Sequence, residues 1–278
     1  MECWTQAAIL ANDLSDQTDD SIVGKRRWIS SLTRGTSILI VTTVAGFGFL
    51  VLAFVAGMKS PLLAYLGALA MALLYSVKPF RFKERGLLGL FSYAFSTALG
   101  YAVLPWLWIG SNWLALTLLG PAVLLDKWVN LHFHQLVDYE ADRSGGVQSY
   151  AVRAGYKGAR RLLKQVSILT SAWLLATLVF VVFLMPTWRG IIAGGSIAAI
   201  LAVAVHVGIK RQNPAKATVV ICELPTAYLS LTYVLFRVVP AILFLRLAFL
   251  KPMMWVVFSI MALLLMIESL HALRYQYD

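Results

Sequence analysis

Eight long apolar stretches limit what this chain can fold into. They run over 36–57, 60–77, 87–109, 112–137, 166–185, 190–208, 217–236 and 252–273, and carry few or no charges. At 1.5 Å of rise per residue, a helix of about 18 or more residues nearly or fully crosses a hydrocarbon layer roughly 30 Å thick. That many such stretches cannot all be the core of one soluble domain. Composition agrees: 60% of the 278 residues are hydrophobic and 13% are charged, about half the charged share of an ordinary soluble domain. The expected fold is an all-α polytopic membrane bundle, a single domain over 1–278. It has about eight full transmembrane helices plus a partial one at the N-terminus.

Charge sets the orientation. If the spans alternate in direction, eighteen Lys and Arg side chains fall on one side, in 25–34, 78–85, 143–164, 210–216 and at Arg274. The other side holds Lys59, Arg189 and Lys251, and Lys127, Arg237 and Arg246 lie in or beside spans. Cytoplasmic loops collect Lys and Arg, so the eighteen-cation side is expected to be cytoplasmic. The net charge of +11 therefore needs no nucleic acid to explain it, and it suits an anionic substrate. The outer connections are short (GMKSP, IGSN, MPTWR); the cytoplasmic ones at 13–35, 78–86 and 138–165 are longer. The stretch 237–251 (RVVPAILFLRLAFLK) is expected to be either an interfacial helix or a kinked extension of the span before it. Cys3 and Cys222 form no C-x-x-C pattern and suggest neither a disulfide framework nor a metal site. The start, MECWTQAAILAN, lacks the basic region of a cleavable signal peptide.

Carboxylates crowd where a chain this apolar has least reason to place them. In LANDLSDQTDD, Asn12, Asp16 and Asp20 recur every four residues, with Asp13 beside them. In HQLVDYEADRSGG, His134, Asp138 and Asp142 repeat that spacing. Residues four apart share a helix face, and like charges there repel unless something positive sits between them. Four predicted spans separate the clusters, so both lie on the same membrane face. Mg²⁺ takes oxygen ligands and is held by one or two carboxylates together with substrate phosphates. Two facing clusters could hold a diphosphate through such ions, with Lys25, Arg26, Arg27 and the loop YSVKPFRFKERG (75–86) contacting the remaining phosphate oxygens. The bland readings are a solvated acidic loop and a topogenic basic loop. His132 and His134 are more often structural than ligands. Asp126 and Lys127 lie about 18 Å down the 112–137 helix from Asp138, where an ionisable residue is a functional candidate. Glu223, and Glu268 with His271, are candidates of the same kind.

Asn12-Asp13-x-x-Asp16-x-x-x-Asp20 resembles the first aspartate motif of the UbiA superfamily of intramembrane prenyltransferases. DYEADRSGGVQSYAVRAG resembles the second, and YSVKPFRFKERG is similar to the basic loop between them. The resemblance covers roughly residues 5 to 210. It implies a helical bundle around a cavity open to the cytoplasm and to lipid, in which a prenyl diphosphate is bound through Mg²⁺ and its chain passes to a lipophilic or aromatic acceptor. By position, Asp13, Asp16, Asp20, Asp138 and Asp142 would be the metal ligands. Asn12, Lys25, Arg26, Tyr75, Lys78, Arg81 and Lys83 would meet the substrate, and Asp16, Asp138 and Asp126 are the candidates for catalysis. Glu140 and His134 are alternatives to Asp126 for taking the acceptor's proton. The resemblance implies nine spans with a full helical pair around the first motif. About twelve residues precede Asp13 here, so that pair is expected to be incomplete. The expected setting is a bacterial inner membrane with the site facing the cytoplasm.

A different class of function is a secondary transporter, using Asp126, Glu223 and Glu268 as an ion relay. Against it, the acidic clusters sit at one face rather than at the midplane. An inactive homologue, or a terpene cyclase that needs no acceptor, would keep the same aspartates.

Overall fold

The computed structural model describes residues 2–17, 28–56, 59–109, 113–184, 187–212 and 224–250. Asp19, Asp20, Lys25, Arg26, Arg27, Cys222, Glu223, Glu268, His271 and the 252–273 stretch lie outside the described residues. Every regular element described is helical. In chain order they are α1 (Glu2–Ser15), α2 (Arg34–Ala56), α3 (Lys59–Ser76), α4 (Leu87–Ala98), α5 (Leu104–Ile109), α6 (Trp113–Val137), α7 (Tyr139–Ser144), α8 (Tyr150–Leu184), α9 (Arg189–Gln212), α10 (Thr226–Tyr233) and α11 (Val239–Leu250). Among the described residues, six helical stretches are long and apolar enough to cross a membrane, and Ser60–Ser76 is a shorter apolar helix. Seven of the eight expected spans thus have a helical counterpart; the eighth is the 252–273 stretch.

One boundary differs from expectation, and one open choice is decided. Of the span expected at 217–236, residues 217–223 lie outside the described residues, and the described helix begins at Thr226. Pro225 precedes it with φ −58° and ψ 136°, and a proline is tolerated at a helix start because its missing N–H has no partner there anyway. The helix then runs on through a π-turn at Val234–Val238 into α11, so 237–250 is the extension of the preceding span rather than a separate interfacial helix. The span expected at 166–185 begins far earlier, at Tyr150. It bends at Gly155, whose φ of 72° and ψ of 152° belong to glycine's range. The basic segment 156–165 (YKGARRLLKQ) is rich in good helix formers and folds as the lead-in to the apolar part rather than as loop.

The chain forms two compact units, Met1–Thr170 and Ser171–Asp278. In the first, α1 packs on α2 and α3, α3 on α4, and α4 on α6. Trp4, Leu52, Ala64, Tyr65, Ala68 and Leu104 form its buried cluster. Small residues allow these close crossings, as expected where lipid offers no hydrophobic drive between helices. A Cβ at Gly48 would lie 2.6 Å from the Cys3 Cβ. Two hydrogen bonds tie the crossings: Tyr65 donates to the Ala45 carbonyl at 2.8 Å, and Ser96 to the Ala68 carbonyl at 2.7 Å. The outward surfaces are apolar, with Leu39, Phe47, Leu50 and Phe54 of α2 exposed. In the second unit α9 packs on α10 and α11, and the Arg246 guanidinium lies over the Trp188 ring at 5.9 Å.

Gly100 gives a direct test of this packing. It sits in the π-turn Leu99–Val103 between α4 and α5, and an added Cβ would overlap the Trp4 indole. Gly100→Val is expected to cost roughly 1–3 kcal/mol through overpacking. A second change, Trp4→Ala, should recover part of that loss in thermal unfolding. An unchanged melting temperature in Gly100→Val would show that α1 does not pack there.

Candidate active site

The first acidic motif sits where α1 ends. Asn12 and Asp13 lie in the last turn of α1 and Asp16 follows it, with the Asp16 N–H still donating to the Asn12 carbonyl at 2.9 Å. The helical ladder therefore continues through Asp16 and keeps Asn12 and Asp16 on one face. Asp13 is 8% exposed. The end of α1 is pinned to the end of α3: Ser15 donates to the Ser76 carbonyl at 2.6 Å, and the Ser76 hydroxyl donates to Asn12 Oδ1 at 3.1 Å.

The loop after α3 delivers the cations. It turns through a cis Lys78–Pro79 peptide and through Arg81, whose φ of 38° is left-handed, into the single turn Phe82–Glu84. This brings both Arg81 and Lys83 onto Asp16. Arg81 Nη2 lies 3.3 Å from Asp16 Oδ1, and Lys83 Nζ pairs with the same oxygen. Lys83 Nζ also reaches Asn12 Oδ1 at 3.4 Å. Arg81 is held from its other edge by Glu84, Nε to Oε1 at 3.1 Å. Lys78 points elsewhere and lines an open cleft with Arg85 and Arg153.

The second motif is helical in register but not in one helix. Asp138 (φ −84°, ψ 5°) joins α6 to α7. Its N–H donates to the His134 carbonyl at 2.9 Å, and the Asp142 N–H donates to the Asp138 carbonyl at 2.7 Å. Gly146, with φ 73°, turns the chain back toward α8. Asp142 is half-buried. Burial pushes its carboxyl pKa up, the Asp138 charge adds to this, and the Ser149 hydroxyl and Lys83 oppose it.

Lys83 and Tyr75 are within electrostatic reach of both motifs. Lys83 pairs with Asp16 and also acts on Asp142. The Tyr75 hydroxyl lies in the field of both Asp16 and Asp142. The Tyr75 ring lies 5.9 Å from that of Tyr93, and Tyr93 in turn feels Lys127 and Asp126. Deeper in α6, Asp126 Oδ2 pairs with Lys127 Nζ at 3.1 Å. His132 is fully buried with its ring edge-on to Tyr150 at 5.1 Å, the packing of a structural histidine; His134 and Glu140 are exposed. Among the described residues no three carboxylate, imidazole or thiol groups converge closely enough to hold a metal ion. Tyr93 was not singled out from the sequence, because one tyrosine among 11 in an apolar helix carries no signal of its own. Ser96 and Thr97, three and four residues further along the same helix and both buried, are the hint of a polar face.

A family model for the UbiA prenyltransferase family matches residues 3–224. The chain belongs to this family. Membership makes it an integral membrane protein of a prenyl-transferring class, in agreement with its apolar helices. Two solved structures of a UbiA homologue from Archaeoglobus fulgidus share its fold. The one bound to GPP and Mg²⁺ has 18% identity and a TM-score of 0.53, over 69% of this chain and 72% of that one. The one bound to DMAPP and Mg²⁺ has 19% identity and a TM-score of 0.53, over 64% and 63%. No curated protein matches the chain significantly.

The raised Asp142 pKa has a consequence for stability. Folding favours its protonated form, so what this group contributes is present at low pH and is lost as pH rises through the raised pKa. Asp142→Asn removes that loss. The metal-free variant should therefore melt slightly above the parent at neutral pH, with the gap closing as pH falls to about 4, the ordinary carboxylate range. A variant that melts lower at neutral pH would contradict this sign.

Proposed function

We propose that the chain transfers an isoprenyl group from a prenyl diphosphate to a lipophilic or aromatic acceptor in the membrane, using Mg²⁺ at a site open to the cytoplasm. The observation that carries this reading is the pairing of the basic loop with the first acidic motif, Arg81 and Lys83 on Asp16, with Lys83 within electrostatic reach of Asp142 in the second. The donor chemistry fits a hard divalent ion: Asp13, Asp16, Asp138 and Asp142 supply oxygen ligands. These four side chains, together with Asp20, would hold the metal. Bound Mg²⁺ would neutralise the diphosphate and make it a better leaving group.

The chain's own residues supply the rest. Arg81 and Lys83 present donors to the phosphate oxygens once these compete for them against Asp16, and Asn12 holds Lys83 in place. Lys25 and Arg26 would add to these contacts from the segment after α1. Tyr75 and Tyr93 offer two ring faces beside the leaving diphosphate, where an allylic cation would gain cation–π stabilisation. The apolar bundle excludes water that would otherwise capture that cation. Asp126, buried in α6 and acting on Tyr93, is the candidate for taking the acceptor's proton.

Diphosphate release from geranylgeranyl diphosphate in detergent, with a pool of aromatic acceptors, tests the reading. Release with Mg²⁺ that stops on adding EDTA, accompanied by a prenylated acceptor, is the expected result. Release without a prenylated acceptor would instead favour cyclisation or hydrolysis.

A further inference from the structure

The basic loop has two faces. Arg81 and Lys83 turn to Asp16, while Lys78, Arg85 and Arg153 line an open cleft of about 500 Å³ together with Pro79, Phe80, Arg81 and Glu84. Among the described residues, no aspartate of the two motifs lines it. We propose that this cleft is a binding site for the phosphate of an anionic membrane phospholipid.

The cations are placed rather than merely present. Arg85 is aimed by two contacts, its Nη2 donating to the Pro79 carbonyl at 3.0 Å and its guanidinium lying over the Phe82 ring at 5.6 Å. Arg153 comes from the first turn of α8 and crosses the loop at Gly86, where an added Cβ would sit 3.7 Å from its Cδ. Gly86, with φ 63°, lets the two segments approach. Glu84, the one acid in the lining, pairs with Arg81, which leaves Lys78, Arg85 and Arg153 to face an anion. An arginine fork suits a phosphate oxygen pair, and a lysine adds a point charge.

The surroundings favour a lipid over a free anion. Val77 and Phe80 beside the cleft, and Leu87, Leu88 and Phe91 in the first turns of α4, are exposed apolar side chains. α4 begins the membrane stretch Leu87–Leu107, so the cleft lies at the headgroup level with an apolar wall running down from it. Basic pockets between transmembrane helices on the cytoplasmic side take lipid headgroups of this kind. A soluble phosphate would need no such wall.

The test titrates a short-chain phosphatidylglycerol into the full-length protein in neutral detergent, with phosphatidylcholine and inorganic phosphate as parallel arms, and reads the thermal shift. Phosphatidylglycerol should raise the melting temperature where phosphatidylcholine and phosphate do not. Each basic side chain near a membrane surface contributes about a fivefold gain for anionic lipid. The double variant Arg85→Gln/Arg153→Gln should then bind phosphatidylglycerol about 30-fold more weakly, and Arg85→Lys/Arg153→Lys should keep most of the affinity. An equal shift with phosphatidylcholine, or an undiminished one in the glutamine variant, overturns the site. An equal shift with inorganic phosphate overturns the lipid as its occupant. If the glutamine variant fails to fold, native mass spectrometry of the parent decides: selective retention of phosphatidylglycerol supports the site, and indifference to headgroup overturns it.

Discussion

Asp16→Asn is expected to abolish Mg²⁺-dependent prenyl transfer while leaving the protein folded. Asp16 has two roles in the proposed site. Its Oδ1 holds Arg81 and Lys83 at the mouth of the basic loop, and its carboxylate would be a ligand to the metal. Asparagine keeps the shape and one oxygen but loses the charge. Groups that only orient a metal ligand already cost roughly 10- to 100-fold when removed, so losing a ligand should lower turnover by at least about a hundredfold. Asp138→Asn should match it, because the second motif has no other carboxylate at the end of α6. The Asp16 side chain is 13% exposed and its partners Arg81 and Lys83 are 8% and 14% exposed. Losing its charge leaves two little-solvated cations short of a carboxylate and should lower the melting temperature. Asp138 is exposed, and its loss should change stability little. Both variants should keep the far-ultraviolet spectrum of the parent, and Asp138→Asn its melting temperature as well. Retained Mg²⁺-dependent activity in both would remove the aspartates from the metal site.

The second large effect is on stability. Asp126 is almost fully buried, at 2% side-chain exposure, and pairs with Lys127 at 3.1 Å and 30% exposure. Lys127 lies ten residues, about 15 Å, from the Val137 end of α6, deep in the membrane stretch. Asp126→Ala leaves that ammonium without its carboxylate. An isolated charge at the centre of a membrane helix costs roughly 2.5–3.5 kcal/mol on insertion scales, in line with the loss expected when one partner of a buried pair is removed. The double variant Asp126→Leu/Lys127→Met removes both charges and should lie within about 1 kcal/mol of the parent, because apolar replacement of a whole buried pair is often neutral or stabilising. Thermal unfolding in one detergent would measure all three proteins. An Asp126→Ala variant as stable as the parent would show that Lys127 reaches polar surroundings on its own. Turnover of the double variant then separates support from chemistry: activity retained without Asp126 excludes it as the base.

Much of this was legible in the sequence because its signals are long or repeated. Runs of about 20 apolar residues have few other uses, so the spans at 36–57, 87–109 and 112–137 have counterparts that differ by a few residues at their ends. The i, i+4 spacing of Asn12 with Asp16, and of His134 with Asp138 and Asp142, survives in the backbone hydrogen bonds, even though Asp138 interrupts the helix. Harder to read was which of several neighbouring cations meets the carboxylates. Lys78, Arg81 and Lys83 are equivalent in composition. It takes the left-handed Arg81 and the turn at Phe82–Glu84 to send two of them to Asp16 and the third to the cleft. One helix start was similarly hidden. Periodicity and hydropathy see the apolar part of α8 but not its basic lead-in. Tyr93 depends on tertiary contact alone, since what sets it apart is its neighbours across the bundle, Tyr75 and Lys127.

The central claim is that the aspartates grip a diphosphate through Mg²⁺. Binding of a non-hydrolysable prenyl thiodiphosphate to the purified protein, measured calorimetrically with Mg²⁺ and again with EDTA, tests it most directly and requires no knowledge of the acceptor. The account predicts saturable binding with Mg²⁺ and a loss of at least about tenfold in affinity without it, since the carboxylates and phosphates would then repel across the site. Equal affinity with and without the metal would contradict it, and would leave the basic loop, not the aspartates, as the diphosphate's anchor.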